Sequence, residues 1–403
     1  MYRMTLALIL LLCPLGTAQE RVLHLEIGDP VRKGREVPLA LDAVTDSASG
    51  EHIGPAELAR RLGRAGIVVV GESHTSMEFH AVQLRTLEEL HKAGRKVLVG
   101  LEMYPYTEQP HLDNWTQGLL TEKGFIELSH WYGNWGYHWN YYRDIFLFAR
   151  ENHIPMFALN MPREIVSAVR KKGLQNLTPE EAAHMPPKID SDSEEHFALF
   201  RAMLESGEGM HSSMDAAQWR AMFDAQCTWD AAMAHNAVRA LREHGGQGPV
   251  MVVLIGSGHA AYGLGIQRQA RQWYDGAIAS VIPIPVRDDG NRPVETVRAS
   301  YADFVWGILP EKNPLYPDLG IATTEARGSK RRQVISVAKE SVGQQAGFET
   351  GDILVSMDGI PITDRETLNR LISEKRWGDG AQFAVERAGR QVTLQASFRR
   401  RAP

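Results

Sequence analysis

The chain has 403 residues, with 44 basic and 49 acidic side chains and a formal net charge of -5 at pH 7. Hydrophobic residues make up 43% of it, which excludes disorder along the whole chain, and the slight acidic excess excludes an electrostatic surface for nucleic acid. The cysteines, Cys13 and Cys227, are too few for a disulfide framework or a cysteine-based zinc finger. A bound metal or cofactor must therefore be held by histidine, carboxylate or tyrosine side chains.

The N-terminus has the pattern of a secretory signal peptide. Arg3 precedes an apolar run over residues 6–12, and small residues up to Ala18 follow as a cleavage site. The pattern predicts a signal peptide over residues 1–18 and a secreted, periplasmic protein. A lipid anchor on Cys13 is the weaker alternative, because Leu12 stands where a lipobox has a small residue. We expect no transmembrane segment, because no other stretch is long and apolar enough to cross a bilayer.

Alternating short runs over residues 22–27 and 37–41 predict that residues 19–54 form an N-terminal β-hairpin extension. The pattern then changes to continuous apolar runs separated by helical periodicity, which indicates strands buried on both faces. The predicted strands are residues 67–70, 97–101, 155–159, 250–255 and 279–284, and the predicted helices are residues 77–92, 141–151, 162–172, 194–206 and 214–244. We therefore predict an α/β domain over residues 55–300, with a mostly parallel sheet flanked by helices.

Prolines and polar residues near residues 310–317 predict a linker over residues 301–316. Beyond it, residues 317–400 have strand-like runs and a helix at about 366–374. This segment is within the usual size range of a domain, so we predict a second, small β-rich domain.

Two of the predicted strands run into the same short pattern, Gly-x-x-His, which ends at His74 and at His259. A third strand ends at Glu102, and Glu72 lies inside the first pattern. Because ligands bind outside the carboxyl ends of parallel strands, we expect these side chains to meet at one edge of the sheet. His74, Glu102 and His259 could hold a divalent metal such as zinc or manganese. Together with Glu72 they could equally perform acid–base catalysis.

Residues 130–142 are unusually rich in aromatic side chains. Such a cluster is suited to a flat apolar ligand such as a porphyrin, with tyrosine or histidine as an axial ligand, or it forms a packed loop. Arg163 follows the next predicted strand and could bind a carboxylate or a propionate, or begin a helix.

The longest predicted helix carries Gln226, Asp230 and Met233 at spacings that place them on one face. The two polar side chains either support the strand-end site or satisfy backbone groups. Cys227 lies in the middle of this helix, where we expect a buried small hydrophobe and not a nucleophile.

The motifs of residues 55–290 resemble the ChaN-like haem-binding uptake family of the Tiki superfamily. The matching motifs are Gly71-Glu72-Ser73-His74, Leu101-Glu102-Met103, Ala158 to Arg163, Gln226-x-x-x-Asp230 and Gly256-Ser257-Gly258-His259. The resemblance implies a secreted or periplasmic protein that binds haem, with a tyrosine on the iron and a homodimer as one arrangement. It adds His74, Arg163 and His259 as cofactor-binding candidates, and the candidate tyrosines near the motifs are Tyr104, Tyr106, Tyr132, Tyr137 and Tyr262.

The same superfamily includes Tiki metalloproteases and erythromycin esterases, whose working site uses two Gly-x-x-His motifs and a strand-end glutamate. That pattern falls on His74, His259 and Glu102 in this chain. The resemblance therefore also implies an alternative function, a metal-dependent hydrolase or protease.

The C-terminal segment resembles a PDZ domain, as judged by Leu319-Gly320-Ile321, Gly351 to Leu354 and Asp358-Gly359. In that fold a peptide or protein C-terminus adds as a strand beside a groove. The resemblance implies that Leu319, Gly320 and Ile321 hold the peptide carboxylate and that Leu368 and Leu371 line the helix side. Asp318 departs from the usual loop and should weaken the capture of a carboxylate.

Overall fold

The computed structural model of the chain describes residues 18–205, 215–245, 248–288, 290–311 and 314–400. The predicted signal peptide, apart from Ala18, and the alternative anchor Cys13 lie outside the described residues. Among the described residues, no helix is both long and apolar enough to cross a membrane.

The first domain is built on an eight-stranded sheet in the order β3-β2-β10-β8-β4-β7-β5-β6. Every neighbouring pair from β10 to β6 is parallel, and β2 and β3 add an antiparallel edge. The strands are β2 Val44–Asp46, β3 His52–Ile53, β4 Ala65–Glu72, β5 Val97–Pro105, β6 Met156–Asn160, β7 Val250–Gly256, β8 Ala277–Pro285 and β10 Phe304–Ile308. The prediction of a mostly parallel α/β sheet is confirmed.

Helices cover both faces of this sheet, which is why its central strands are apolar on both sides. The helices of this domain are α1 Ala18–Leu23, α2 Pro55–Arg61, α3 Met77–Lys92, α4 Gln109–Thr116, α5 Glu122–Leu128, α6 Trp131–Asn134, α7 Arg143–Glu151, α8 Arg163–Lys172, α9 Pro179–Ala182, α10 Glu194–Glu205, α11 Ala216–Glu243, α12 Ser257–Ala260 and α13 Ile266–Ala270. The five predicted helices correspond to α3, α7, α8, α10 and α11, with shifts of a few residues at their ends.

The predicted N-terminal hairpin is wrong. Ala18–Leu23 is helical, and β1 (Glu36–Pro38) pairs with β9 (Thr296–Arg298), which is distant in sequence. The predicted linker also needs correction, because Phe304–Ile308 is a buried strand that lies between β2 and β8. Alternation of apolar residues identified extended chain at Glu36–Pro38 but not at residues 22–27, and it could not identify the partner strand.

The second domain is antiparallel, as predicted for a β-rich domain. Its strands are β11 Ile321–Glu325, β12 Arg332–Val337, β13 Ile353–Met357, β14 Ile360–Pro361, β15 Gly380–Arg387 and β16 Arg390–Ser397, and its helices are α14 Val342–Ala346 and α15 Arg365–Ser373. A separate apolar core holds it together. One face of α15 packs against this core through Leu368 and Leu371, which are both buried.

The other face of α15 contacts the first domain at α6 and the turn after it. Arg365 donates hydrogen bonds to the carbonyls of Gly133, Asn134 and Trp135, at 2.9 Å from Nη2 to the oxygen of Trp135. Asn369 Nδ2 donates to the carbonyl of Tyr132 at 2.8 Å. Side-chain contacts add to this joint, with His130 Nδ1 3.0 Å from Glu366 Oε2 and the Tyr132 hydroxyl hydrogen-bonded to Ser373.

Candidate functional site

Three central strands deliver the predicted site residues to one edge of the sheet. β7 lies between β4 and β5, and Glu72 at the end of β4 is in register with Gly256 at the end of β7. A Cβ atom at Gly256 would lie 3.2 Å from His74 Cε1, 3.6 Å from Glu102 Oε2 and 3.6 Å from His259 Cδ2. The three side chains therefore converge above a glycine, whose missing side chain makes room for them.

His74 is oriented by Glu72. Its Nδ1 lies 2.7 Å from Glu72 Oε1, which also accepts a hydrogen bond from the Tyr142 hydroxyl at 2.9 Å. Burial lowers the pKa of His74, but the hydrogen bond and the charge of Glu72 raise it more, so the net shift is upward. Burial alone would raise the pKa of Glu72, but His80 and His74 hold it well below its usual range. Glu72 is therefore an anion that fixes the His74 ring.

His259 is held in the same way from the other side. Its Nδ1 lies 2.5 Å from Asp230 Oδ1 and 2.9 Å from Gln226 Nε2, and its Nε2 lies 3.4 Å from Glu102 Oε1. Burial lowers the pKa of His259, but the charges of Asp230 and Glu102 outweigh it and raise the pKa to about 9. Asp230 and Gln226 both contact this ring from α11, and the supporting role expected of them stays a prediction.

Glu102 is anchored by the backbone of the neighbouring strand, since Gly256 N donates to Glu102 Oε2 at 2.6 Å. One oxygen of the carboxylate, Oε2, thus accepts from Gly256, and the other, Oε1, lies opposite His259 Nε2. Across the described part of the chain, no group of three or more histidine, cysteine, aspartate or glutamate side chains has the arrangement of a metal site. The predicted set of His74, Glu102 and His259 is brought together as an ion-paired network and not as a metal cage.

Most of the aromatic cluster is core. Trp131, Trp139 and Tyr142 are buried in the apolar cluster on one face of the sheet. Trp135 and Tyr137 differ, because they line a cavity and contact His74, with ring centroids 4.7 Å and 4.9 Å away. The interpretation as a packed loop holds for most of the cluster, and the interpretation as a ligand-facing surface stays a prediction for Trp135 and Tyr137.

The cavity has a volume of ≈ 1180 Å³ and lies between the strand ends and the second domain. From the first domain it is lined by His74, Glu102, Trp135, Tyr137, Arg163 and Trp229, among others. Pockets that hold one drug-sized ligand have volumes of roughly 300–1,000 Å³, so this cavity is large enough for a macrocycle.

The candidate tyrosines differ in their surroundings. Four of the five phenols are engaged elsewhere: Tyr104 with Ser129, Tyr106 with His184, Tyr132 with Ser373, and Tyr262 with Val22 and Leu25. Those four do not line the cavity. Tyr137 lines it, and its hydroxyl has no hydrogen-bond partner among the described residues.

Sequence reasoning missed His80 and did not assign Trp229 or Tyr142 to the strand-end site. Trp229 forms part of the cavity wall and lies with its ring centroid 5.6 Å from that of His259. His80 Nδ1 lies 3.2 Å from Glu72 Oε2, and Tyr142 binds the same carboxylate. His74 lies before the start of α3 and His80 lies within this helix, so neither the helix period nor the strand period predicts that the two residues meet. Trp229 adjoins Asp230 and could have been inferred from the polar face of that helix.

The cavity continues into the predicted peptide groove of the second domain. Leu319, Gly320, Ile321 and Leu368 line it, whereas Leu371 does not and belongs to the core of that domain. Cys227 is fully buried, as expected for packing, and burial raises the pKa of its thiol.

Residues 58–269 match the family described as haem-binding uptake, Tiki superfamily, ChaN, and residues 317–397 match the PDZ domain. A solved structure of ChaN of Campylobacter jejuni, described as binding haem cofacially, superposes with a TM-score of 0.52 at 18% identity. It covers 66% of this chain and 98% of its own, and at this identity the likeness shows the fold alone.

Two curated proteins, from Brucella suis and Brucella melitensis and named provisionally as zinc metalloproteases, are 43% identical over 63 residues. The match covers 16% of this chain and 16% of each of those proteins, so the chain spans only a small part of their length.

Proposed function

Because the chain belongs to the ChaN haem-binding uptake family of the Tiki superfamily and carries a C-terminal PDZ domain, we propose that it binds haem in the cavity at the strand ends. The proposed setting is haem or iron uptake by a secreted, periplasmic protein. The apolar run and small residues of the N-terminus support the compartment.

The observation that carries the proposal is the hydroxyl of Tyr137. It lies in a cavity large enough for a porphyrin, beside His74, and without a hydrogen-bond partner among the described residues. Tyr137 is half-buried and lines the cavity, so its phenol is open to a group that enters there and is not committed to another residue. Tyrosine is one of the side chains that hold haem iron.

The residues around Tyr137 fit haem. Trp135 and Trp229 provide aromatic walls for an apolar macrocycle, and Arg163 provides a positive charge for a carboxylate. Glu72 fixes His74 beside the phenol through a bond of 2.7 Å. Bound haem would supply an iron centre with a strong Soret absorption, and Tyr137 would hold it.

The test is a haemin titration followed in the Soret band, with Tyr137→Phe compared against the wild type. Loss of the iron ligand is expected to weaken binding at least tenfold and to shift the Soret maximum. Tyr132→Phe is the matched control, because Tyr132 belongs to the same aromatic segment but lies outside the cavity. Unchanged binding in Tyr137→Phe together with loss in His74→Ala would assign the ligand to His74 instead.

The PDZ groove is proposed to bind a peptide or protein C-terminus. Support comes from Leu319, Gly320 and Ile321, which line one side of the groove, and from Leu368 on α15.

A second candidate function, a hydrolase that uses acid–base catalysis, is favoured by one specific observation. His259 and Glu102 form a buried acid–base pair with Nε2 and Oε1 3.4 Å apart. Glu102 lines the same cavity, whereas His259 does not. Asp230 orients the ring, as a third group does in catalytic triads.

Peptidase and esterase assays with added zinc or manganese test this candidate on the wild type and Glu102→Gln. If the protein is a hydrolase, Glu102→Gln should lower its rate at least a hundredfold, the usual scale for an acid–base residue. Equal rates in both proteins would remove Glu102 from any hydrolytic mechanism.

A further inference from the structure

The PDZ domain is more than an appended module, because it forms a wall of the haem cavity. We propose that Arg332 and Arg365 of the PDZ domain act with Arg163 of the first domain to bind the two propionates of haem. This inference rests on the proposed haem function and extends it to the second domain, which the ChaN match over residues 58–269 does not include.

Three guanidinium groups face one cavity from two domains. Arg163 begins α8 beyond the end of β6, Arg332 begins β12, and Arg365 begins α15, and all three line the cavity. They are close enough to repel each other electrostatically. Burial and the charges of Arg163 and Arg332 together lower the pKa of Arg365 to about 9.

No carboxylate of the described chain forms an ion pair with any of these three arginines. Arg332 donates to the Thr323 hydroxyl and carbonyl, at 3.1 Å and 2.7 Å, and Arg365 donates to backbone carbonyls. Buried charges are normally paired, so Arg332, which is buried, and Arg365, which is half-buried, favour an anionic ligand because neutral acceptors alone hold them. Arg163 is exposed at the rim of the same cavity.

The other charged groups of the cavity do not cancel this cluster. Glu102 is engaged by Gly256 N and faced by His259, whose raised pKa keeps it positive at neutral pH. Asp318 and Lys339 add one charge of each sign at the PDZ side of the cavity. The cavity is therefore net positive where the two domains meet.

Haem matches this distribution of charge better than a neutral ligand does. It combines an apolar macrocycle, suited to Trp135 and Trp229, with two carboxylates, which arginine binds as bidentate partners. Arg365 donates to the carbonyl of Trp135, so this arginine is held beside the aromatic wall before a ligand binds.

The test compares haemin with haemin dimethyl ester, in which both propionates are neutral, on the full chain. The ester is expected to bind the wild type roughly 10- to 100-fold more weakly than haemin, the range for losing a charge-assisted hydrogen bond. This penalty should shrink in Arg163→Gln, Arg332→Gln and Arg365→Gln. Arg170→Gln is the matched control, because Arg170 is exposed on the same helix as Arg163.

The wild-type comparison needs no variant, so it shows whether the propionates contribute to binding even where Arg332→Gln or Arg365→Gln disturbs folding. Equal affinity for haemin and its ester would overturn the propionate assignment while leaving haem binding intact. A penalty that shrinks in Arg163→Gln but not in either PDZ variant would confine the site to the first domain. Binding of neither compound would overturn the proposed haem function itself.

Discussion

His259 is held by carboxylates at both ring nitrogens, and this arrangement sets its charge. Asp230 contacts Nδ1 at 2.5 Å and Glu102 faces Nε2 at 3.4 Å, and both sit at positions with little access to water. Their charges outweigh the burial that would otherwise keep the imidazole neutral. His259 is therefore a fixed cation in a site of alternating charge.

This arrangement predicts a pKa of about 9 for His259, measurable by NMR titration with His259→Gln to assign the signal. Because the folded-state pKa lies above the ordinary 6.5, the stabilisation from this ion pair is complete below pH 6.5 and is lost as pH rises through about 9. Asp230→Asn should lower the pKa, whereas Asp224→Asn on the same helix should leave it in place. A pKa near 6.5 in the wild type would contradict the ion-paired network.

Individual site residues could be predicted from the sequence where a polar side chain follows a buried strand. His74, Glu102 and His259 could be predicted as neighbours because parallel strands end at one edge. The choice among tyrosines could not be made, because it depends on which phenols find partners. The Tyr104 hydroxyl is hydrogen-bonded to Ser129, and the Tyr262 hydroxyl donates to the carbonyl of Val22, so neither phenol is available to a ligand.

The elements that position the site are the central strands β4, β7 and β5. Their continuous apolar sequences predict burial on both faces, and the structure agrees because helices cover the sheet on each side. The short strands at the edge could not be predicted in the same way. β1 and β2 have three residues each, and their partners β9 and β10 lie more than two hundred residues away.

Gly256, at the end of β7, is the position where an added side chain should disturb the convergence of His74, Glu102 and His259. Its φ of -53° suits any residue, but an alanine Cβ would lie 3.2 Å from His74 Cε1, closer than ordinary packing. Gly256→Ala should therefore keep the fold, lower the free energy of unfolding by about 1–3 kcal/mol as overpacking does, and weaken haem binding by moving His74. Thermal melts and haemin titrations measure these two effects.

Gly63→Ala is the control for that variant, since no atom outside its chain neighbours lies within 4 Å of the added Cβ. It should leave both stability and haem affinity nearly unchanged. Haem affinity equal to the wild type in Gly256→Ala would show that the convergence of side chains above this glycine is not part of the site.

The molecule as a whole joins two domains around one cavity. Each domain could be predicted from its own motifs, but their relative placement could not. Much of the joint is made by Arg365 and Asn369 binding backbone carbonyls at residues 132–135, and carbonyls carry no signature in the sequence. The consequence is that the peptide groove and the strand-end site, which were predicted separately, share one cavity.

The central claim, that this shared cavity binds haem, is tested most directly by titrating the purified full chain with haemin and recording the Soret band. The account predicts a saturable Soret shift that Tyr137→Phe weakens at least tenfold and Tyr132→Phe leaves unchanged. A wild-type spectrum equal to that of free haemin at every ratio would contradict the account.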